Sequence, residues 1–245
     1  MAEAEVEEFS LAACRSADAL FFLPREETRP NMPPGFEPAG AKAYQITPLP
    51  PEYNHVGGFR LWGISCQRGN VSGRSLEDVR FFTWYIRVSP PPQYLKGVRD
   101  PGAVGIVWFT TPDVSLSKVF SQWGIGGFGD VKVERVPGLG GTVQWHIHAQ
   151  SNGTTFDVDS IVTPTPAPPE FSAKVRYFGV DGLQVRGGAD VNITGGPTPM
   201  AGQAEYRIQN GRGAFNRPSG RTEATAGDAP IVSFDFQRIP LPEAA

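Results

Sequence analysis

The stretch from Val104 to Glu134, VGIVWFTTPDVSLSKVFSQWGIGGFGDVKVE, decides the fold. VGIVWF is a short run of β-branched and aromatic residues, which favours a strand. Asp113, after Pro112, is placed to cap a helix, and Val114, Ser117, Val119, Phe120 and Trp123 then form a stripe at helical spacing. Gly124, Gly126, Gly127 and Gly129 stop that helix and permit backbone conformations that other residues avoid. The alternation in VKVE starts the next strand. Residues 104 to 134 are therefore expected to form strand, short helix, glycine run and strand.

Working outward, FRLWGISCQ, VRFFTWYIRV, GTVQWHIHAQ and TTFDVDSIV are further strand candidates, each bounded by Gly, Pro, Asn or Asp. Ser151-Asn152-Gly153 joins two of them, and Asn-Gly between strands signals a hairpin. A strand is also expected near EEFSLAAC. Ser16 opens a helical candidate, SADALFFL, which Pro24 closes. Beyond a proline-rich connector at Thr163 to Phe171, the segments KVRYFG, LQVRGGADVNITG, QAEYRIQNG and IVSFDFQRI alternate well enough to be late strands. Gly211 to Pro230 carries little pattern and is expected to be a solvated loop or flap. The sum is a mainly β chain, one domain over residues 1–245, arranged as an antiparallel meander that closes into a barrel or cone with two short helices.

Composition excludes several classes of function. The formal charge is −3, with charged residues at 19% and Lys and Arg scattered, so nucleic-acid binding has no electrostatic footing. No apolar stretch reaches the length of a membrane-spanning helix, and the acidic start AEAEVEE is unlike a secretory signal; a cytoplasmic protein is expected. Asn70, Asn152 and Asn192 then match the glycosylation pattern by chance. Cys14 and Cys66 lack metal-ligand spacing and read as two reduced, partly buried thiols. With Phe 16, Tyr 6 and Trp 5, core material is ample, and some of these rings can line an apolar cavity.

The first part of the chain resembles the acetoacetate decarboxylase superfamily. The resemblance rests on Cys14-Arg15-Ser16-Ala17-Asp18-Ala19-Leu20, on Pro33-Pro34-Gly35-Phe36-Glu37-Pro38, and on the strand, helix and Gly-Phe order of residues 104 to 134. It implies a β-barrel or cone around a substrate cavity, with Gly126 and Gly127 at its border. In decarboxylating members a lysine just before the Gly-Phe/Tyr element forms an imine with the substrate ketone. Gly126 and Gly127 stand at the corresponding place, so chemistry without an imine is expected. Lys132 lies close by in sequence, where VKVE alternation pairs it with Glu134 on one strand face. The resemblance also implies pocket roles for Arg15, as a binder of a carboxylate or enolate, and for Glu77, as a proton carrier.

His146 and His148 supply a third source of acid/base chemistry. Residues i and i+2 of a strand share a face, so both imidazoles can meet one substrate, while Trp145, Ile147 and Ala149 face the core. Asp157 and Asp159 repeat the spacing on the next strand. Catalytic roles are thus expected of Arg15, Glu77, His146 and His148, and substrate contacts of Tyr85, Trp108, Gly126, Gly127 and Phe128. No cofactor and no metal are expected, although a metal enzyme built on the two histidines is a third option. The partner is a small molecule, with neither nucleic acid nor membrane; a homo-oligomer is an open option. The expected function is acid/base chemistry on a carbonyl-containing metabolite, such as an isomerase, cyclase, dehydratase or atypical lyase of specialised metabolism. The alternative is a lipocalin-like binder of an apolar compound. A polar pair inside a cavity separates the two.

Overall fold

A computed structural model describes residues 6–40, 56–97, 104–165, 171–195, 199–217 and 219–241. The key stretch forms β5 (Val104–Thr111), α2 (Val114–Gln122), β6 (Gly126–Phe128) and β7 (Asp130–Pro137). Asp113 caps α2, its Oδ1 accepting from the Leu116 amide at 2.8 Å. After Trp123, Gly124 takes a φ of +66° and turns the chain out of the helix. The helix end also lies against backbone: a Cβ at Gly187 would sit 1.6 Å from the Trp123 carbonyl oxygen.

The other strands are β1 (Glu8–Pro24), β2 (Glu37–Pro38), β3 (Val56–Val71), β4 (Arg74–Ser89), β8 (Val143–Ser151), β9 (Thr154–Pro164), β10 (Phe171–Asp181), β11 (Gln184–Gly195), β12 (Pro199–Gln209) and β13 (Ser219–Arg238); the remaining α-helix is α1 (Arg25–Thr28). Strands β1, β3, β4, β5, β10, β11 and β13 follow one another around a closed seven-stranded barrel, sealed by the β1–β13 pairing. The barrel is mixed and not a pure antiparallel meander, because β5 runs parallel to β10. A parallel step needs a long crossover, and the chain supplies it by building α2 and β6 to β9 between the two strands.

Strand β13 belongs to two sheets. Its second half pairs β11, whereas its first half pairs β12 and extends into a wing of order β12-β9-β8-β7. Two apolar cores result. One fills the barrel with Phe9, Leu11, Ile64, Phe81, Phe109 and Phe234, closed by Leu116, Phe120 and Trp123 of α2 and the turn after it. The other lies between barrel wall and wing, where Phe59, Leu61, Phe82 and Ile86 meet Val133, Trp145, Ile147 and Val158. At this seam Gly63 makes room for Ile147, whose side chain would stand 2.8 Å from any added Cβ.

Three sequence expectations are corrected. Residues 16 to 24 are strand, not helix. Ala17, Ala19, Phe21 and Leu23 face the wing core while Leu20 and Phe22 face the barrel, so the run is apolar on both sides and loses the period-two signature. Cys14 and Cys66 are not free thiols: they face each other across β1 and β3 and form a disulfide, a proximity that a separation of 52 residues does not reveal. The proposed flap at 211–230 holds a short turn at Gly213–Phe215 and then the start of β13, where the small residues Ala224 and Ala226 are buried. Small side chains between close neighbours carry little hydrophobic signal. The hairpin at Asn152-Gly153 is present, with φ of +50° and +79° as a type I′ turn requires. Residues 166–170 of the proline-rich connector lie outside the described residues.

Candidate functional site

Strand β8 buries Val143, Trp145, Ile147 and Ala149 and turns Gln144, His146, His148 and Gln150 outward. Hydrogen-bonded register then lines up the outer faces of five strands. One row reads Lys132, His148, Asp157, Arg207 and Ser219; the next reads Glu134, His146, Asp159, Glu205 and Arg221. These two rows line a groove of about 870 Å³. A second lobe of about 440 Å³ adjoins it, sharing His146, Asp159, Glu205 and Arg221 and adding Gln144, Ile161, Gln203 and Ala204.

Each histidine is held by the carboxylate opposite. His146 Nδ1 lies 2.5 Å from Asp159 Oδ1, and His148 Nδ1 lies 2.6 Å from Asp157 Oδ1. A carboxylate accepts from an Nδ1–H, which leaves Nε2 as the proton-accepting nitrogen on a ring that lines the groove. His148 is the more enclosed of the two. The rows differ in charge. Glu134, Asp159 and Glu205 surround His146, and Arg221 donates from Nε to Glu205 at 2.7 Å. Around His148 the flanking charges are Lys132 and Arg207, neither of which makes an ion pair or hydrogen bond with a described side chain. Among the described residues no cluster of three or more His, Cys, Asp or Glu is arranged to hold a metal ion.

A second polar group sits inside the barrel. Arg60 Nη1 donates to Asp18 Oδ2 at 2.6 Å, Thr225 donates to the other oxygen of Asp18, and the Arg60 guanidinium lies 5.9 Å from the centre of the Tyr85 ring. Burial raises the pKa of Tyr85 above its usual phenolic value; Arg60 and Arg87 oppose the rise while Asp18 adds to it, so the phenol keeps its proton at neutral pH. Sequence reading passed over Asp18 and Arg60 as site residues. The available signal was a carboxylate inside the apolar run ADALFFL, which demands a buried partner.

The other expected site residues are dispersed. Glu77 is exposed opposite Arg68, whereas Arg15 is half-buried opposite Ser65. Arg15 Nε is enclosed without a hydrogen-bond partner among the described residues. Neither residue lines the two lobes. Gly126 pairs with Phe109 in the parallel β5–β6 ladder, where an added Cβ would come within 2.1 Å of the Phe109 carbonyl oxygen. Gly127 faces Ser121 and Trp108, and Phe128 is 65% exposed. Trp108 Nε1 donates to Ser151 Oγ at 3.1 Å, at the turn between β8 and β9. Gly124, Gly126 and Gly129 thus serve close backbone packing, Gly127 does not, and all four stand apart from the groove. Lys132 and Glu134 share the exposed face of β7, and both line the larger lobe.

The solved structure of an acetoacetate decarboxylase-like enzyme from Sphingomonas wittichii RW1 superposes on this chain with a TM-score of 0.52, covering 98% of this chain and 95% of that one. The fold is acetoacetate decarboxylase-like. Sequence identity is 11%, so the likeness concerns architecture. No protein-family model matches the sequence, and no curated protein matches it. Within the acetoacetate decarboxylase-like barrel the interior is filled by rings: Phe109 stacks on Phe120 with centroids 5.0 Å apart, and Phe9 stacks on Phe236 at 4.3 Å. The open, polar surface lies on the wing. Among the described residues no helix is long and apolar enough to cross a membrane.

Proposed function

We propose that this protein is an enzyme of small-molecule metabolism that moves protons on a carbonyl-containing substrate, using the two His–Asp pairs of the wing groove and no lysine imine. The observation that carries this reading is the pairing of each histidine's Nδ1 with a carboxylate in one groove. His148 Nε2 takes a proton from the carbon beside the carbonyl, and Asp157 stabilises the imidazolium that forms. Lys132 and Arg207 face the negative charge that develops on the substrate oxygen. His146, one row away on the same face, gives a proton from Nε2 at a second position when it enters the cycle as the imidazolium held by Asp159, and the proton taken up by His148 passes to solvent, which makes isomerisation or dehydration the fitting outcome.

Support for imine-free chemistry comes from the lysines. Among the described residues the lysines, Lys96, Lys118, Lys132 and Lys174, are all exposed, and an imine-forming amine needs desolvation or a neighbouring cation to lose its proton at neutral pH. The lipocalin-like alternative requires an apolar chamber in the barrel, and aromatic rings occupy that space. A cytoplasmic setting sits poorly with the Cys14–Cys66 disulfide, which reducing compartments disfavour. Arg15 and Glu77 receive no role in this scheme, because neither reaches the groove.

The test is exchange of α-protons for deuterium in a panel of 2-oxo and 3-oxo acids, followed by NMR. Wild type is expected to accelerate exchange for at least one member, and His148→Asn to lower that rate on the order of 10²- to 10⁴-fold. Unchanged exchange in both His148→Asn and His146→Asn removes the proposal. Borohydride added with the same substrates is expected to leave the intact mass unaltered.

A further inference from the structure

The groove has two chemically distinct ends, and they define the shape of what fits between them. Near His148 stand Lys132 and Arg207, one on each side of the His148–Asp157 pair and neither committed to a described carboxylate. Arg221, in the next row, is already neutralised by Glu205. An anion entering the groove therefore meets uncommitted cations at the first row only. At the opposite end the smaller lobe is lined by Ile161, Ala204 and the amide stems of Gln144 and Gln203. Ile161 is 55% exposed and Val136, in the same row on β7 across Gln144, is 44% exposed, so two aliphatic side chains turn to water beside the two charged rows. Such exposure favours an apolar ligand.

The spacing follows from the strand. Asp157, Asp159 and Ile161 alternate along the outer face of β9, so the cationic row and the aliphatic lobe are four residues apart, or about 13 Å at the rise of an extended chain. The His146 row lies midway. We infer that the substrate is a medium-chain oxo acid, its carboxylate and the neighbouring carbonyl oxygen both held by Lys132 and Arg207, its reacting carbons beside the two histidines and its aliphatic tail laid over Ile161. Short oxo acids reach the cations but leave Ile161 bare. A ligand without the anion gains the apolar lobe alone. Ile161 and the Lys132–Arg207 pair are then specificity-determining residues for the acid/base reaction proposed above, and this inference rests on that reading.

Binding of butanoate and octanoate to the full-length protein, measured by calorimetry, tests it without turnover. Octanoate is expected to bind at least about tenfold more tightly than butanoate, since each buried methylene adds to affinity. Ile161→Asp is expected to abolish the chain-length dependence and leave butanoate unaffected. Lys132→Gln combined with Arg207→Gln is expected to weaken octanoate by about tenfold or more while 1-octanol binding stays unchanged. All three side chains are exposed, and melting curves of the variants check that the fold is retained. Equal affinity for the two acids, or wild-type behaviour of Ile161→Asp, overturns the inference. His148→Asn separates the two proposals, as it should stop proton exchange yet bind octanoate within about twofold of wild type. If exchange depends on His148 but chain length is immaterial, only the substrate assignment falls; if octanoate binds as described and exchange survives in both histidine variants, the acid/base reading falls and takes the oxo-acid assignment with it.

Discussion

Asp190 and Asp157 are both carboxylates opposite a basic side chain, and their surroundings separate a structural pair from a chemical one. Asp190 is buried on β11. Burial alone would raise its pKa, but hydrogen bonds and charge from Arg176, at 2.7 and 2.9 Å, and from Lys174 outweigh it and hold the carboxyl below its ordinary value of 3.8. A carboxylate with a depressed folded-state value stabilises the fold above its unfolded value, and that contribution disappears as pH falls through the folded one. Asp190→Ala is accordingly expected to cost about 3 to 5 kcal/mol at neutral pH by stranding the half-buried Arg176. Denaturant melts over a pH series should show the gap from wild type closing below about pH 4; a gap that is constant with pH would mean that packing, not charge, accounts for the loss. Trp145 makes the complementary case. It is 1% exposed in the wing core, so Trp145→Ala should cost about 3 to 5 kcal/mol with little change in octanoate affinity. Equilibrium unfolding and the calorimetric titration read the two effects separately.

At the level of elements, the sequence disclosed what local chemistry specifies and concealed what neighbours impose. The α2 cap at Asp113, the Asn152-Gly153 turn and the alternation of QWHIHAQ are short-range features, and each stands where its residues place it. His146 and His148 were legible for the same reason, and so were Asp157 and Asp159 as their neighbours. Lys132, Arg207, Glu205 and Arg221 were not legible as one groove, because β12 and β13 join β9 only through non-local pairing. Strand β1 was misread because both its faces are buried, and Cys14 and Cys66 because only the β1–β3 register brings them together. The glycines were read for conformational freedom, yet several serve close approach. Gly187→Ala is a sharp test: its methyl would overlap the Trp123 carbonyl, so the end of α2 must shift, at a cost of about 1 to 3 kcal/mol or more. Gly153→Ala meets no atom within 4 Å and strains only the turn, so melting temperatures should fall further for Gly187→Ala.

On the scale of the whole molecule, barrel and wing share their walls. Strands β1 and β13 contribute to both sheets, and the outer faces of β3 and β4 form one side of the wing core. Neither core can open without exposing the other, so one cooperative unfolding transition is expected. Trp123 reports on the barrel and Trp145 on the wing, each within its own buried cluster. Variants that keep one of these two tryptophans, with the remaining indoles replaced by Phe, should give superimposable denaturation curves. The Cys14–Cys66 bond tests the same coupling from within the barrel core. It closes a loop of 52 residues in sequence, for which chain entropy predicts a stabilisation of about 4 kcal/mol. Cys14→Ala combined with Cys66→Ala should lower the midpoint seen by the wing tryptophan as much as that seen by the barrel tryptophan, although the disulfide lies in the barrel core. Two separated midpoints, with only the barrel signal moved, would show that the wing folds independently and that the groove it carries is stabilised without the barrel.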